Sequence, residues 1–273
     1  MIPRLVGRDN LLERSAETWR PPIFRATNSI ASRCMATVRR FLDLQAASIW
    51  YDLQKLLTHC EGNFLDVGCG AQPYRELLSS KINYTGIDTV DAKDHFGYEV
   101  PDTIYFDGAK WPIDSNSISV VLATETLEHV PYPSQFLTEA KRCLMPKGYL
   151  VLTVPFAARW HYIPHDYWRF TPSGIRQILE EAGFDELVVY ARGNELTVGC
   201  YKAMAPILAL LFGQFSSMLF KIVLGMIGCT LIPFLVVLAS IGQLSLWSRG
   251  GNDCLGYTII ARRPMDTYSS RSA

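Results

Sequence analysis

Segments with the period of a strand alternate with segments with the period of a helix between Phe64 and Tyr190. This alternation predicts a doubly wound α/β fold, a mostly parallel sheet with helices on both faces. Two further observations agree with it. The apolar run Phe64-Leu65-Asp66-Val67 ends in Gly68-Cys69-Gly70, and turn or cap residues punctuate the chain wherever one element must give way to the next.

The elements follow in order. Phe64–Val67 is the first strand, and a helical stretch from about Tyr74 to Ser79 leads to the second, Tyr84–Asp88. Thr103–Phe106 is a third strand, and Ile118–Ala123, rich in β-branched residues, a fourth. Gln135–Leu144 reads as a helix stopped by Pro146, with Lys147-Gly148 turning the chain into the strand Tyr149–Val154. Thr171-Pro172-Ser173 caps a helix running to Ala182, and Gly183 ends it before the strand Phe184–Tyr190. Ligands in such folds sit at the carboxyl ends of the strands, where the motifs below fall.

Composition divides the 273 residues into unlike parts. The 26 basic and 26 acidic residues balance, which removes the long-range field of a non-specific nucleic-acid binder, and no nucleic-acid partner is expected. The charge is unevenly spread: between Ala203 and Ser248 the single charged residue is Lys221. The first forty residues carry eight arginines against Asp9, Glu13 and Glu17, and no apolar run of a secretory signal follows the first basic residues. Seven scattered cysteines without CxxC spacing read as reduced thiols of a cytosolic protein. The expected organisation is a basic arm over 1–44, a core over 45–200, an apolar helical insertion over 201–249, a last strand within 250–264 and a tail over 265–273.

Gly68-Cys69-Gly70 after the first strand lets the backbone turn sharply and approach a ligand closely. Asp88, at the end of the second strand, is placed to accept hydrogen bonds from a ribose diol. The two glycines are separated by one residue and no third follows at dinucleotide spacing, which argues against a nicotinamide site.

With these residues the chain resembles the class I methyltransferases that use S-adenosyl-L-methionine. The resemblance is carried by LDVGCG (65–70), the acid of GID (86–88), Asp107-Gly108, Leu127-Glu128-His129-Val130-Pro131 and Leu144-Met145-Pro146-Lys147-Gly148, in that order over about Leu56 to Arg192. It implies a seven-stranded Rossmann-like sheet whose last strand falls within Cys254–Pro264. It also implies that Asp66, Gly68, Cys69 and Gly70 hold the methionine end of the cofactor, Asp88 the ribose and Asp107 the adenine amine beside Gly108, with Glu125 lining the pocket. Met145-Pro146 stands where the family often has two glycines, a departure confined to a turn.

Methyl transfer to a hydroxyl needs an aligned acceptor and a base for its proton. Arg159 to Phe170 follows the fifth strand with two imidazoles, a carboxylate, two guanidiniums and a cluster of aromatic rings, a composition that suits a water-excluding lid over a small-molecule acceptor. His165 and His161 are the preferred bases, with His129 a third candidate; the competing reading packs the aromatics on the sheet and pairs Asp166 with Arg169. Glu125, Glu128 and His129 would share one face of a helix. Their spacing resembles the metal site of quinone-pathway O-methyltransferases and small-RNA 3′-end methyltransferases, with His165 as a further ligand. The preferred reading keeps Glu128-His129 as an ordinary family turn and assigns no metal.

The apolar block contains two stretches, Ala203–Phe220 and Ile222–Leu244, each about long enough at 1.5 Å per residue to reach across a bilayer core. A two-helix hairpin turning at Lys221, or a shallow insertion, brings residues 203–246 to a membrane with the catalytic domain on its cytoplasmic face. The arginine-rich arm offers a second contact to anionic lipid. The acceptor is then a lipid-linked, quinone-like or glycan molecule methylated on oxygen.

Overall fold

The computed structural model describes residues 11, 30–96, 99–107, 110–213 and 218–265. Seven strands form one sheet: β1 Asn63–Val67, β2 Asn83–Thr89, β3 Thr103–Phe106, β4 Ile118–Thr124, β5 Leu144–Pro155, β6 Asp185–Arg192 and β7 Gly256–Arg262. Their order is β3-β2-β1-β4-β5-β7-β6. The pairs from β3 through β5 are parallel, and β7 runs antiparallel to both β5 and β6. The Rossmann-like expectation holds, with its switch point between β1 and β4, which brings the loops after both strands to one crevice.

Around the sheet lie α1 Ile30–Leu42, α2 Leu44–Leu57, α3 Val90–Phe96, α4 Pro133–Cys143 and α5 Pro172–Glu181. Asp43 caps α2 by accepting from the Ala46 N–H, and Thr171 caps α5 by accepting from the Gly174 N–H. Between β1 and β2 the expected helix is a single 3₁₀ turn, Arg75–Leu77, whose cap residue Tyr74 makes no side-chain bond, so nothing propagates it beyond a turn. Strand β5 begins five residues earlier than its apolar run. Met145-Pro146-Lys147-Gly148 is absorbed as an irregularity in the β4–β5 register, where a Cβ on Gly148 would lie 2.9 Å from the Met145 carbonyl oxygen.

The apolar block differs from the two helices expected of it. It forms α6 Glu195–Phe212, α7 Met218–Thr230 and α8 Ile232–Ser245, so that Lys221 falls inside α7. The first helix also starts before residue 201, because Asn194 supplies a capping box with Thr197. α7 and α8 bend by 55° at Leu231, just before Pro233, which lacks an N–H to continue a helix. Val198, Cys200, Met204 and Ile207 of α6 bury themselves against Leu235 and Ala239 of α8, Leu44 of α2 and Leu255. The Thr197 and Ser245 hydroxyls meet at 2.6 Å inside this contact. Gln243 donates to the Arg40 and Phe41 carbonyls and accepts from Tyr51, fastening α8 to α1 and α2. Among the described residues α6 is the one helix long and apolar enough to cross a membrane, and the bent α7–α8 pair passes the same criterion jointly.

One buried cation ties these layers together. The Arg192 side chain, at the end of β6, is fully buried and donates to Glu125 Oε1 at 2.7 Å, the Val154 carbonyl at 3.0 Å and Ser48 Oγ at 3.2 Å. It thus joins β6, β5, the loop after β4 and α2. The Glu125 side chain is 26% exposed, so water can solvate it if the arginine is lost, whereas the arginine has no such recourse. Glu125→Ala is therefore expected to lower stability by about 3 kcal/mol or more, because it strands a buried charge. Arg192→Met is expected to cost about 1–2 kcal/mol, the scale of lost buried hydrogen bonds. Urea melts of the two variants test this order; an equal or larger loss for Arg192→Met contradicts it.

Candidate active site

The turn after β1 is built for close approach. Gly68 and Gly70 both have positive φ, 67° and 51°, and a Cβ on Gly68 would lie 2.6 Å from the Thr126 side chain. The Gly68 and Cys69 N–H groups donate to the Ile87 carbonyl, which clamps the turn on the end of β2. Asp88 stands beside it and accepts from the Gly70 N–H at 2.9 Å and the Thr89 N–H at 2.8 Å, one bond to each carboxylate oxygen. Burial raises its pKa against those two bonds. An ionised carboxylate has about four lone-pair sites, so each oxygen can accept once more.

This turn opens into a cavity of about 1280 Å³. Gly68, Cys69, Gly70, Asp88, Asp107, Glu125, His129, His161 and His165 all line it. Trp111 and Phe136 meet edge to face at 5.0 Å between centroids on the side of Asp107. Gly108 lies outside the described residues. The volume exceeds what a drug-sized ligand fills, which leaves space for two molecules side by side.

Asp66 sits differently from its neighbours in the motif. It does not line the cavity but lies buried beneath the turn, accepting from the Tyr84 hydroxyl at 2.9 Å, with Oδ1 unpartnered. Burial pushes its carboxyl up to about 7; the Tyr84 bond opposes this and the Asp88 charge adds to it.

The acceptor side is formed by the turn after β4 and by the chain following β5. Leu127–His129 is one 3₁₀ turn preceded by Glu125 at φ 48°, not the helix that would align Glu125 with Glu128 and His129. Glu125 instead pairs with Arg192. The segment after β5 is tied to that turn: the Tyr167 and Trp168 N–H groups donate to the Glu128 carbonyl, and Trp168 Nε1 donates to the Val130 carbonyl. The segment expected to form a lid is thus fastened to Glu128 and Val130, with Phe170 buried and Tyr167 and Trp168 exposed.

Its charged groups form a network. Asp166, its side chain buried, receives Arg169 at 2.6 and 2.7 Å and stands 3.1 Å from His161 Nδ1. Burial disfavours the Asp166 charge, yet Arg169 and His161 hold its carboxyl well below the usual range. Burial likewise opposes protonation of His161, and the Asp166 carboxylate with the Arg159 carbonyl outweighs it, raising the pKa. His129, half-buried and facing His161, is pushed down to about 4, chiefly because its charged form is desolvated and then by the His161 charge. His165 is exposed at the mouth, where Nδ1 lies 3.2 Å from the Tyr167 hydroxyl and the carbonyl oxygen 2.7 Å from His129 Nδ1. The ring of His165 therefore does not join Glu128 and His129 as the resemblance to metal-dependent methyltransferases implies; the ring beside His129 is that of His161, 4.9 Å away between centroids.

Arg192 and Tyr84 carry no motif. A charged residue ending a strand reads as solvent-exposed, and its four partners lie 38 to 147 residues away in sequence.

Several solved structures are similar to this chain at low identity. A methyltransferase from Thermotoga maritima, described as a possible histamine N-methyltransferase, is 14% identical with a TM-score of 0.49, over 86% of this chain and 96% of that one. An Archaeoglobus fulgidus S-adenosylmethionine-dependent methyltransferase is 18% identical with a TM-score of 0.49, over 84% and 99%. Phosphoethanolamine N-methyltransferase 2 of Haemonchus contortus, solved with S-adenosyl-L-methionine, is 14% identical with a TM-score of 0.47 over 79% of this chain, which spans about half, 52%, of that protein. No curated protein matches the chain significantly. A methyltransferase domain profile matches residues 29–189, more than half of the sequence. The chain accordingly belongs to the methyltransferase domain family.

Proposed function

We propose that the protein methylates an oxygen of an amphiphilic small molecule, a lipid-linked, quinone-like or glycan acceptor, at the cytoplasmic face of a membrane. The observation that carries this reading is that the helices lining the cavity have docked on them two helices that expose an apolar face. Arg39 and Arg40 of α1, Trp50 of α2 and Tyr201 of α6 line the cavity. The helices docked on them, α7 and α8, expose Met218, Leu219, Phe220, Met226, Phe234 and Val237. Six large apolar side chains exposed on two adjoining helices suit the edge of a bilayer. Seven unpaired thiols, two of them exposed, agree with a reducing compartment.

The residues at the β1 turn fit the cofactor. Left-handed glycines leave a cradle that a Cβ would obstruct, and Asp88 keeps lone pairs for a diol. In this reading Gly68, Cys69 and Gly70 hold the methionine end, Asp88 the ribose, and Asp107 the adenine beside Trp111. Asp66 supports the turn from beneath through Tyr84. Glu125 shapes the pocket while neutralising Arg192. S-adenosylmethionine supplies a methyl group on a positively charged sulfur, which keeps the C–S electron pair when the acceptor oxygen forms its new C–O bond.

The chain's own residues do the rest. The segment 156–170 covers the acceptor and excludes water, anchored by its bonds to Glu128 and Val130. The hydroxyl proton passes to an imidazole. Among His129, His161 and His165, the last has its ring at the mouth, bonded to a phenol and to no charged group, and it is the proposed base.

Two outcomes are expected. Asp88→Ala should weaken binding of S-adenosylhomocysteine about 10-fold or more in calorimetry, since it removes charge-assisted bonds and frees the Gly70 N–H; unchanged affinity contradicts the assignment. The full-length protein should float with phosphatidylcholine vesicles. Phe220→Asp with Phe234→Asp should return it to the unbound fraction without changing S-adenosylhomocysteine affinity; flotation unaltered by both charges contradicts the docking face.

A further inference from the structure

Glu128 is the least explained residue of the site. Its side chain is completely buried and neither carboxylate oxygen has a hydrogen-bond partner. Burial of an unpartnered carboxyl is costly in either protonation state, because the neutral acid also carries an O–H that needs an acceptor. The nearest candidate, His129 Nε2, lies 3.6 Å from Oε1, beyond hydrogen-bond reach. Among the described residues no group partners these two oxygens.

The two imidazoles nearby are oriented toward the same gap. His129 Nδ1 is 2.7 Å from the His165 carbonyl oxygen, which can only accept, so the hydrogen sits on Nδ1 and the lone pair on Nε2. His161 Nδ1 is 2.9 Å from the Arg159 carbonyl oxygen and 3.1 Å from Asp166 Oδ2, two more acceptors, so the neutral ring carries its hydrogen on Nδ1 and its lone pair on Nε2. A longer 3.5 Å approach of Arg169 to the same nitrogen competes poorly with these, since that guanidinium is already bonded to Asp166. One ligand atom from each of Glu128, His129 and His161 lies within 4.8 Å of the others.

We propose that Glu128, His129 and His161 form a binding site for a divalent first-row transition-metal ion on the acceptor side of the cavity. Two imidazole nitrogens and one carboxylate oxygen are a donor set such ions take with positions left open. Around an ion about 2.1 Å from each ligand, neighbouring ligand atoms stand roughly 3.4 Å apart, so small side-chain rotations close the set. Both imidazoles already donate their other nitrogen's hydrogen to a carbonyl or carboxylate, the outer arrangement that fixes metal-binding histidines. The cation satisfies Glu128, and Asp166 with Arg169 neutralise each other next to it. His129 and His161 line the cavity, so the open positions face the acceptor. An acceptor oxygen bound there loses its proton more readily. That use rests on the O-methylation proposed above, and it leaves the proton to His165. The set differs from the one that the spacing of Glu125, Glu128 and His129 suggests, because Glu125 is occupied by Arg192.

The test uses the full-length protein after chelator treatment, titrated with Co²⁺ by visible absorption and with Zn²⁺ by calorimetry, and in parallel with S-adenosylhomocysteine. One equivalent of each metal should bind, with Co²⁺ bands of nitrogen and oxygen coordination. Glu128→Gln and His161→Ala should each lower the metal affinity about 10-fold or more, while His165→Ala should not, because His165 acts through its carbonyl. His161→Ala is decisive if Glu128→Gln loses S-adenosylhomocysteine binding through misfolding. Absence of saturable binding at one equivalent, or affinity unmoved in His161→Ala, overturns the site. Intact S-adenosylhomocysteine binding alongside such a result leaves the methyltransferase reading standing, and its loss in the unmodified protein strikes that reading instead.

Discussion

The burial of the Arg192 guanidinium is the constraint on which the site's shape depends. A cation at the carboxyl end of a strand has to be surrounded by acceptors if it is to leave water. Those acceptors come from the loop after β4, the end of β5 and the first turn of α2. Gln45, which contributes to this shell, also donates to the Leu255 carbonyl at the entrance to β7. The same group of contacts therefore sets the helical cover against the sheet, fixes where Glu125 points and defines one wall of the cavity. Glu125 can then no longer act as a free carboxylate.

What was legible in the sequence is local. The turn Gly68-Cys69-Gly70, the acid Asp88 and the cap of α5 depend on residues within a few positions of one another or on consecutive strands, and spacing reveals them. Asp166 and Arg169 also lie three positions apart, and their pairing was foreseeable as the competing reading of the lid. The rest depends on contacts between distant segments. Nothing near Tyr84 indicates that its hydroxyl reaches Asp66, and nothing near His161 indicates that it, rather than His165, turns its ring toward His129. The helix that the alternative metal reading required to align Glu125 with Glu128 does not form: Leu127–His129 is a single turn, Glu125 adopts a left-handed φ and its carboxylate is drawn to Arg192. Gly108 and most of the basic arm fall outside the described residues, and what was expected of them has no structural counterpart.

The apolar block shows the same division between composition and tertiary contact. Its lack of charge suggested two long helices, and it is three, broken where Pro233 interrupts the backbone ladder and begun early where Asn194 caps α6. One face of this insertion is a core, sealed by Met204, Ile207, Leu235 and Ala239. The opposite face of α7 and α8 remains apolar and exposed. A single segment thus supplies both a wall of the methyltransferase domain and a surface that water does not favour, which is the physical reason for linking the acceptor to a lipid phase.

The most direct test of that account is transfer of labelled methyl from S-adenosylmethionine by the full-length protein to a total lipid extract, followed by partition and mass spectrometry. The account predicts label in an organic-phase product heavier by one methyl group, released by neither base nor acid as an ester would be, and lost with Asp88→Ala. Label confined to the aqueous phase, or no labelled product from protein that binds S-adenosylhomocysteine, contradicts it.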